Sequence, residues 1–382
     1  MGGVQFSTYF LVEHLMYEKS ADVRIFLPSE GPFSILCQEN TIPYSIYNAI
    51  PYMSTSISLF NDKIRILNPI AWVYNICVIL LNCIRIKNKL KGHKPDLAVT
   101  KGLLTHIAGG FACKSLNLPL IWHLQDLVTV RYNGLLNSIL NQLANKIPDH
   151  IICDGKIIKD YLKGPVSERS SVVLNGIKTE ELERCLKSRD EVRKELSIPA
   201  NAYVIGNLAR ITPWKGQLFL LRAFIEYAGQ NKNAYLLLVG SPLFDNDKYH
   251  RLLKKLISKN DLEDRVIMPG YRSDLSNIYS AMDYFVYPSV EKDTSPLALL
   301  SALSSGLPVS ISNIGSLTEI KRAFPSVGTF DFKAADQLVG LFKKYENGHV
   351  REEEGKINKI NAITNFDISW HSSQILKIIN GI

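Results

Sequence analysis

Tyr287-Pro-Ser-Val-Glu-Lys-Asp-Thr-Ser-Pro-Leu-Ala-Leu-Leu-Ser-Ala-Leu-Ser-Ser-Gly-Leu-Pro-Val309 is the stretch that decides the fold. An apolar run over 284–287 ends at Pro288, and Ser295-Pro296 then offers an N-cap followed by a proline in the first helical turn. The helix predicted over 297–304 stops at Gly306, which suits a left-handed cap, and Pro308 follows it. Strand, capped helix and strand in succession is the repeating unit of a parallel sheet. The helix begins just beyond a strand end, where its unpaired amides and dipole favour an anion, a phosphate in particular. A well-capped helix with no ligand would be written with the same residues.

The alternation extends in both directions. Strands are expected at 22–27, 96–100, 119–123, 150–153 and 171–174 in the first half. In the second they are expected at 203–208, 235–239, 265–268, 284–287 and 308–312, with helices at 218–228, 249–259 and 297–304. Two such series predict an α/β protein of two doubly wound domains. The join is expected near Asn175-Gly176, followed by one polar helix over 179–189. The domains are read as 1–177, with a C-terminal amphipathic helix in 367–382 packing back on it, and 178–366. In open α/β sheets ligands bind beyond the carboxyl ends of the strands. Gly206-Asn-Leu-Ala-Arg-Ile-Thr-Pro-Trp-Lys-Gly216 lies at such an end, and its Arg210 and Lys215 can project to one sheet edge. Two fixed cations there would stabilise a departing diphosphate, although cations in such a loop also suit an ordinary surface.

The 382 residues are 46% hydrophobic and 21% charged, a globular balance with room for two cores. The six cysteines show no Cys-x-x-Cys pair and no zinc-ligand spacing, which favours a reducing compartment over a disulfide framework. No basic segment precedes an apolar core at the start, so no signal peptide is expected. Of the formal charge of +8, residues 1–177 carry 17 Lys/Arg against 12 Asp/Glu. Arg85, Lys87, Lys89, Lys91, Lys94 and Lys101 cluster against Asp96 alone, directly after an apolar run over 70–84. A solvated helix face fits this pattern, and so does peripheral contact with an anionic membrane through 70–101. Asn75 and Asn82 interrupt the apolar run and argue against a span. No nucleic-acid recognition motif accompanies the charge.

These motifs, together with Leu174-Asn-Gly-Ile177 and Pro269-Gly-Tyr-Arg-Ser-Asp274, resemble the large retaining glycosyltransferase family of GT-B fold, the glycosyl transferases group 1, which builds bacterial polysaccharides and glycolipids such as capsule and lipopolysaccharide. The resemblance runs from Gly2-Gly3 to the C-terminal helix. It implies two Rossmann-like domains facing across a cleft, an acceptor-side first half and a nucleotide-sugar donor half. Arg210 and Lys215 would hold the donor diphosphate, with Gly240 and Arg272 near the base. The backbone of Thr294, Ser295, Pro296 and Leu297 would approach sugar and phosphates. Trp122-His-Leu-Gln-Asp126 matches the family's histidine segment, so His123 would orient the transferred sugar. Gly2 and Gly3 match a glycine pair that lets backbone approach donor and acceptor.

Two departures stand out. The family carries two glutamates with seven residues between them, and alignment on Gly306 puts Asp293 and Ser301 there, with Glu291 as a partial substitute for the first. Ser301 cannot make a carboxylate's bidentate contact to a ribose diol. A lost charge-assisted hydrogen bond of about 1.5–3 kcal/mol weakens binding by roughly one to two orders of magnitude. Met1 stands directly before Gly2, so the first strand of the N-terminal domain is expected to be missing or to lie upstream. The predicted activity is transfer of a hexose or N-acetylhexosamine from a UDP- or GDP-linked donor to a lipid-linked or polysaccharide acceptor, in the cytoplasm or on the inner membrane face. No cofactor is expected, and no metal, on the reading that no Asp-x-Asp metal motif follows a strand. A nucleotide-sugar epimerase or a non-catalytic GT-B subunit would share most of these features.

Overall fold

The computed structural model describes residues 2–59, 64–125, 135–183, 185–242, 248–291 and 293–382. The chain forms two compact units, residues 1–173 with 372–382, and residues 174–371.

In the second unit, α7 (Thr179–Glu183) and α8 (Arg189–Glu195) lead into β9 (Tyr203–Leu208), α9 (Gln217–Gln230), β10 (Ala234–Val239), α10 (Lys248–Lys259), β11 (Val266–Gly270) and α11 (Leu275–Ser280). β12 (Tyr284–Tyr287), α12 (Leu297–Ser304), β13 (Val309–Ser312), α13 (Thr318–Ala323), β14 (Gly328–Phe330), α14 (Ala335–Lys344), α15 (Gly348–Phe366) and the start of α16 (Ile368–Ile379) complete it. All six strands are parallel in the order β11-β10-β9-β12-β13-β14. The side chains alternate between two cores. Val204, Leu237, Phe285 and Val309 face α11, α12 and α15, while Ile205, Leu236, Leu238 and Tyr284 face α9 and α14. The strand order reverses between β9 and β12, so the loops leaving those strands emerge side by side.

The single helix expected over 179–189 is two helices. Ser188 caps α8 with its hydroxyl on the Glu191 amide while the Glu191 carboxylate returns to the Ser188 amide, and this capping box starts a new helix.

The first unit contains α1 (Gly3–Tyr17), β1 (Ile25–Leu27), α2 (Pro32–Glu39), β2 (Tyr44–Ile46), β3 (Ser56–Leu59), β4 (Ile64–Leu67) and α3 (Pro69–His93). There follow β5 (Ala98–Lys101), α4 (Leu103–Lys114), β6 (Leu120–Leu124), α5 (Leu135–Lys146), β7 (His150–Cys153), α6 (Lys156–Lys159) and β8 (Ser170–Val172). β5-β6-β7-β8 form a parallel sheet, whereas β1-β2 make a separate parallel pair and β3-β4 an antiparallel hairpin. Trp122, Ile151 and Cys153 pack with Ala108, Ala112, Ile86 and Leu90 in the main core of this unit. The six cysteines are free thiols.

Candidate functional site

The loop after β9 and the loop after β12 are stapled together by the backbone. Trp214's carbonyl accepts from the Val290 amide at 2.9 Å and from the Ser289 hydroxyl at 3.1 Å. Gly216, at a φ of +72°, tucks against the Pro288 carbonyl. The staple sets Lys215 over the Tyr287 ring and beside Asp293. Its ammonium donates to the Tyr287 hydroxyl at 2.8 Å and to the Asp293 carboxylate, and the Tyr287 hydroxyl donates to the same carboxylate. Burial, reinforced by the Asp293 charge, holds the Tyr287 hydroxyl protonated far above its ordinary range, while the Arg210 cation pulls the other way. Arg210 therefore lies within electrostatic reach of the same cluster, with its own side chain exposed. An ammonium has three protons, and Tyr287 and Asp293 take two of Lys215's.

The Asp293 amide donates to the Ser316 hydroxyl at 3.0 Å, which fixes the segment leading into α12. The helix starts at Leu297 with Pro296 as N-cap, not at a Ser295 cap. The Ser295 hydroxyl instead accepts from the Asn175 amide at 2.8 Å, and the Asn175 side chain donates to the Ser295 carbonyl at 2.9 Å. Leu174-Asn-Gly-Ile177 thus holds the Thr294–Leu297 turn in place, a role its sequence did not announce. Thr294 and Ser295 are buried, Leu297 is half-buried, and Glu291 is exposed. α12 ends as expected, with Gly306 at a φ of +76° and the Leu307 amide returning to Ala302.

Gly240 closes β10 at a φ of +141°, and a side chain there would meet the Ala209 carbonyl, so the backbones after β9 and β10 touch. Arg272 follows β11 and is fully engaged. It makes a bidentate pair with Asp274 at 2.7 and 2.6 Å and reaches Glu195 at 2.6 Å. That pairing depresses the Asp274 carboxyl to about 2. Ser301 lies on α12 with its side chain buried beside the Tyr279 hydroxyl, within the core under the helix.

In the first unit His123, at the end of β6, is buried. Its Nε2 lies 2.5 Å from Asp154, which follows β7. Gln125 donates to the other Asp154 oxygen and to Ser7 of α1, both at 3.0 Å. The His123 segment and the Gly2-Gly3 helix start are thereby tied together. Gly2 caps α1, and open space surrounds both glycines. Burial, aided by Lys101, lowers the His123 pKa against the pull of Asp154. Burial alone would raise the Asp154 pKa, but His123, Lys101 and Gln125 outweigh it and bring it down. Burial brings the Lys101 ammonium to about 8, with Asp154 opposing. Asp154 was missed in the sequence because it follows an apolar strand without a motif; Lys101 was read only among the surface cations and Tyr287 only as a strand end, since neither sequence position announces its partners.

Asp126 lies outside the described residues. So do Asp245 and Asp247, an Asp-x-Asp pair between β10 and α10 in the sequence, contrary to the expectation that no such pair follows a strand.

Residues 188–360 match the family described as Glycosyl transferases group 1, and residues 1–181 match Glycosyltransferase Family 4. The chain is 25% identical over 324 residues to the UDP-Gal:alpha-D-GlcNAc-diphosphoundecaprenol alpha-1,3-galactosyltransferase of Escherichia coli, covering 81% of this chain and 76% of that protein. It is 30% identical over 196 residues to the lipopolysaccharide 1,2-N-acetylglucosaminetransferase of Salmonella typhimurium, covering 48% of this chain and 50% of that protein. The crystal structure of Anabaena Alr3699/HepE in complex with UDP and glucose superposes with a TM-score of 0.82 at 20% identity, covering 100% and 96% of the two chains. A glycosyltransferase from Rickettsia africae ESF-5 gives 0.78 at 18% identity, covering 99% and 94%. The fold is GT-B, with two Rossmann-like domains.

Proposed function

The chain belongs to the glycosyl transferases group 1, and on that premise we propose that it moves a hexose or N-acetylhexosamine from a UDP- or GDP-linked donor to a lipid-linked or polysaccharide acceptor, with retention, in cell-surface glycan synthesis. The observation that carries this reading is the pairing of Lys215 with Asp293, in the segment leading into α12, where the strand order of the second unit reverses, with Arg210 in electrostatic reach of Tyr287. Cations and helix amides fixed in that way stabilise the charge that accumulates on a departing diphosphate. Asp293 and Tyr287 hold two ammonium protons of Lys215 and leave the third for a phosphate oxygen. Gly240 and the Arg272 loop bound the region assigned to the base, and the Thr294–Leu297 backbone that assigned to sugar and phosphate. In the acceptor-side half, His123 is the candidate for a hydrogen bond to a sugar hydroxyl. Leaving-group stabilisation by these groups stands in place of a metal.

The relatives' names support a UDP-linked donor and an acceptor on a lipid diphosphate or lipopolysaccharide. A catalyst for such an acceptor belongs in the cytoplasm, peripheral to the inner membrane face.

Titration calorimetry with UDP and GDP, followed by a nucleotide-sugar panel scored for donor hydrolysis, tests the reading. One nucleotide should bind, and a sugar carried on it should be released. Binding of neither would assign the chain to non-catalytic GT-B subunits. Donor conversion without hydrolysis or transfer would make it an epimerase.

A further inference from the structure

α3 has two apolar faces, and only one of them is covered. Ala71, Val78, Asn82, Ile86 and Leu90 are buried, and Ile86 and Leu90 share a core with Ala108 and Ala112 of α4. The two polar residues that interrupt the apolar run belong to the packing. Asn82 exchanges hydrogen bonds with both backbone groups of Ile50 at 2.8 and 3.1 Å, and Asn75 does the same with Met53 at 2.9 Å each. The outward stripe is uninterrupted. Ile70, Val73, Ile76, Leu80 and Ile84 recur at three- and four-residue spacing, opposite the buried set, and are 74%, 66%, 57%, 57% and 54% exposed. A contiguous exposed aliphatic patch of this kind marks a binding surface.

The chemistry of the partner is written further along the same helix. Continuing the stripe by one turn and then another reaches Lys87 and Lys91, followed by Lys94 at the helix end, while Lys89 lies round the helix on the other side. Lys89, Lys91 and Lys94 are exposed, and α3 contains no Asp or Glu. Aliphatic side chains followed by unopposed ammonium groups on one line match an acyl boundary beneath anionic headgroups. The helix is also long and apolar enough to cross a membrane. Crossing would strip Ile86 and Leu90 from α4 and place the Asn75 and Asn82 amides in hydrocarbon, where each loses its backbone partners.

We infer that α3 is a membrane-docking helix that lies in the plane of an anionic bilayer surface, with Ile70 to Ile84 in the acyl boundary and Lys87, Lys91 and Lys94 at the headgroups. This deepens the proposed reading, in which the acceptor is lipid-linked, and rests on it only for the purpose of the docking.

The test is sedimentation of the full chain with phosphatidylcholine vesicles and with phosphatidylcholine/phosphatidylglycerol vesicles. It uses the wild type and the double variants Val73→Ser/Leu80→Ser and Lys87→Glu/Lys91→Glu, with circular-dichroism melts to confirm folding. The wild type should prefer anionic vesicles by about tenfold or more, and each double variant should lose most of that binding. Raised salt should release the protein. Equal partitioning into both vesicle types, or unchanged binding by the variants, would overturn the inference. So would resistance to salt and alkaline carbonate, which indicates a span. A dimer abolished by Val73→Ser/Leu80→Ser without vesicle binding would assign the stripe to a second copy. Donor hydrolysis in detergent-free buffer separates the two readings. Variants that hydrolyse donor normally but fail to sediment support docking, and a protein that sediments without hydrolysing any donor keeps the docking and loses the proposed activity.

Discussion

Gly216 and Pro288 occupy space that only a glycine permits: a Cβ on Gly216 would stand 1.8 Å from the Pro288 carbonyl oxygen, at a φ of +72°. The contact joins the loop that carries Lys215 to the strand end that leads to Asp293. Gly216→Ala must push the two loops apart. Strain at positive φ alone costs about 1–2 kcal/mol, and the clash adds to it. The variant should melt several degrees lower and lose donor turnover by roughly two orders, since a displacement of about 1 Å in a catalytic cation is enough for that. Wild-type kinetics in a destabilised Gly216→Ala would show that the staple serves folding alone.

Lys215→Ala removes the cation and should cut donor turnover by roughly two orders while the fold persists. Tyr287→Phe deletes one hydroxyl that accepts from Lys215 and donates to Asp293. A smaller loss, roughly tenfold, is expected because the ammonium remains but is less firmly aimed. Steady-state rates on a common donor check both, and equal, unaltered rates would remove leaving-group stabilisation at this position.

How much of this was legible follows from how local each signal is. β9, β12 and α12 fall where apolar runs and the Gly306-Leu-Pro-Val309 stop placed them, because each is bounded by its own turn chemistry. The staple was not legible, since Trp214, Pro288 and Ser289 meet only through the parallel pairing of β9 with β12. Ser295 reads locally as a helix cap but is recruited by Asn175, from far earlier in the chain. The three-residue strands β2 and β14 are too short to show a period, and both were missed.

Acid should weaken the first unit through His106, which is buried, stacked on Trp122, bonded to Thr100 at 2.7 Å and near His123. Burial lowers its pKa from 6.5 to about 3, with the His123 charge adding to it. Between those values the unfolded chain binds a proton that the folded one refuses, so stability is complete above about 6.5 and falls as the pH drops toward 3. His123 shifts in the same direction. Melting temperatures measured from pH 7.5 down to 5 should fall for the wild type, and less steeply for His106→Gln. Parallel curves for the two proteins would exclude His106 as a source.

Chelation should leave donor turnover unchanged if Arg210 and Lys215 supply the charge that a metal would otherwise supply. Assay with EDTA, then with added magnesium or manganese, decides the matter. A loss restored by the metal would transfer attention to Asp245 and Asp247.

Arg193 is the most deeply placed cation described in the second unit, and Asp283 is what makes it tolerable. The Arg193 guanidinium donates to Asp283 at 2.8 Å and to the carbonyls of Ala200, Ala202 and Ala281. Asp283 also accepts from the Val204 amide at the start of β9 and pairs with Arg189. Asp283→Ala would leave a buried cation with carbonyl partners alone and strip the β9 amide of its acceptor, at a cost of about 3–5 kcal/mol. Arg189→Ala removes a partner that is 42% exposed on the rim of the same pair and should cost under about 1 kcal/mol. Denaturant unfolding of the two variants distinguishes an ion pair that anchors β9 from one that merely decorates it, because only the first predicts such unequal losses from the two ends of one cluster.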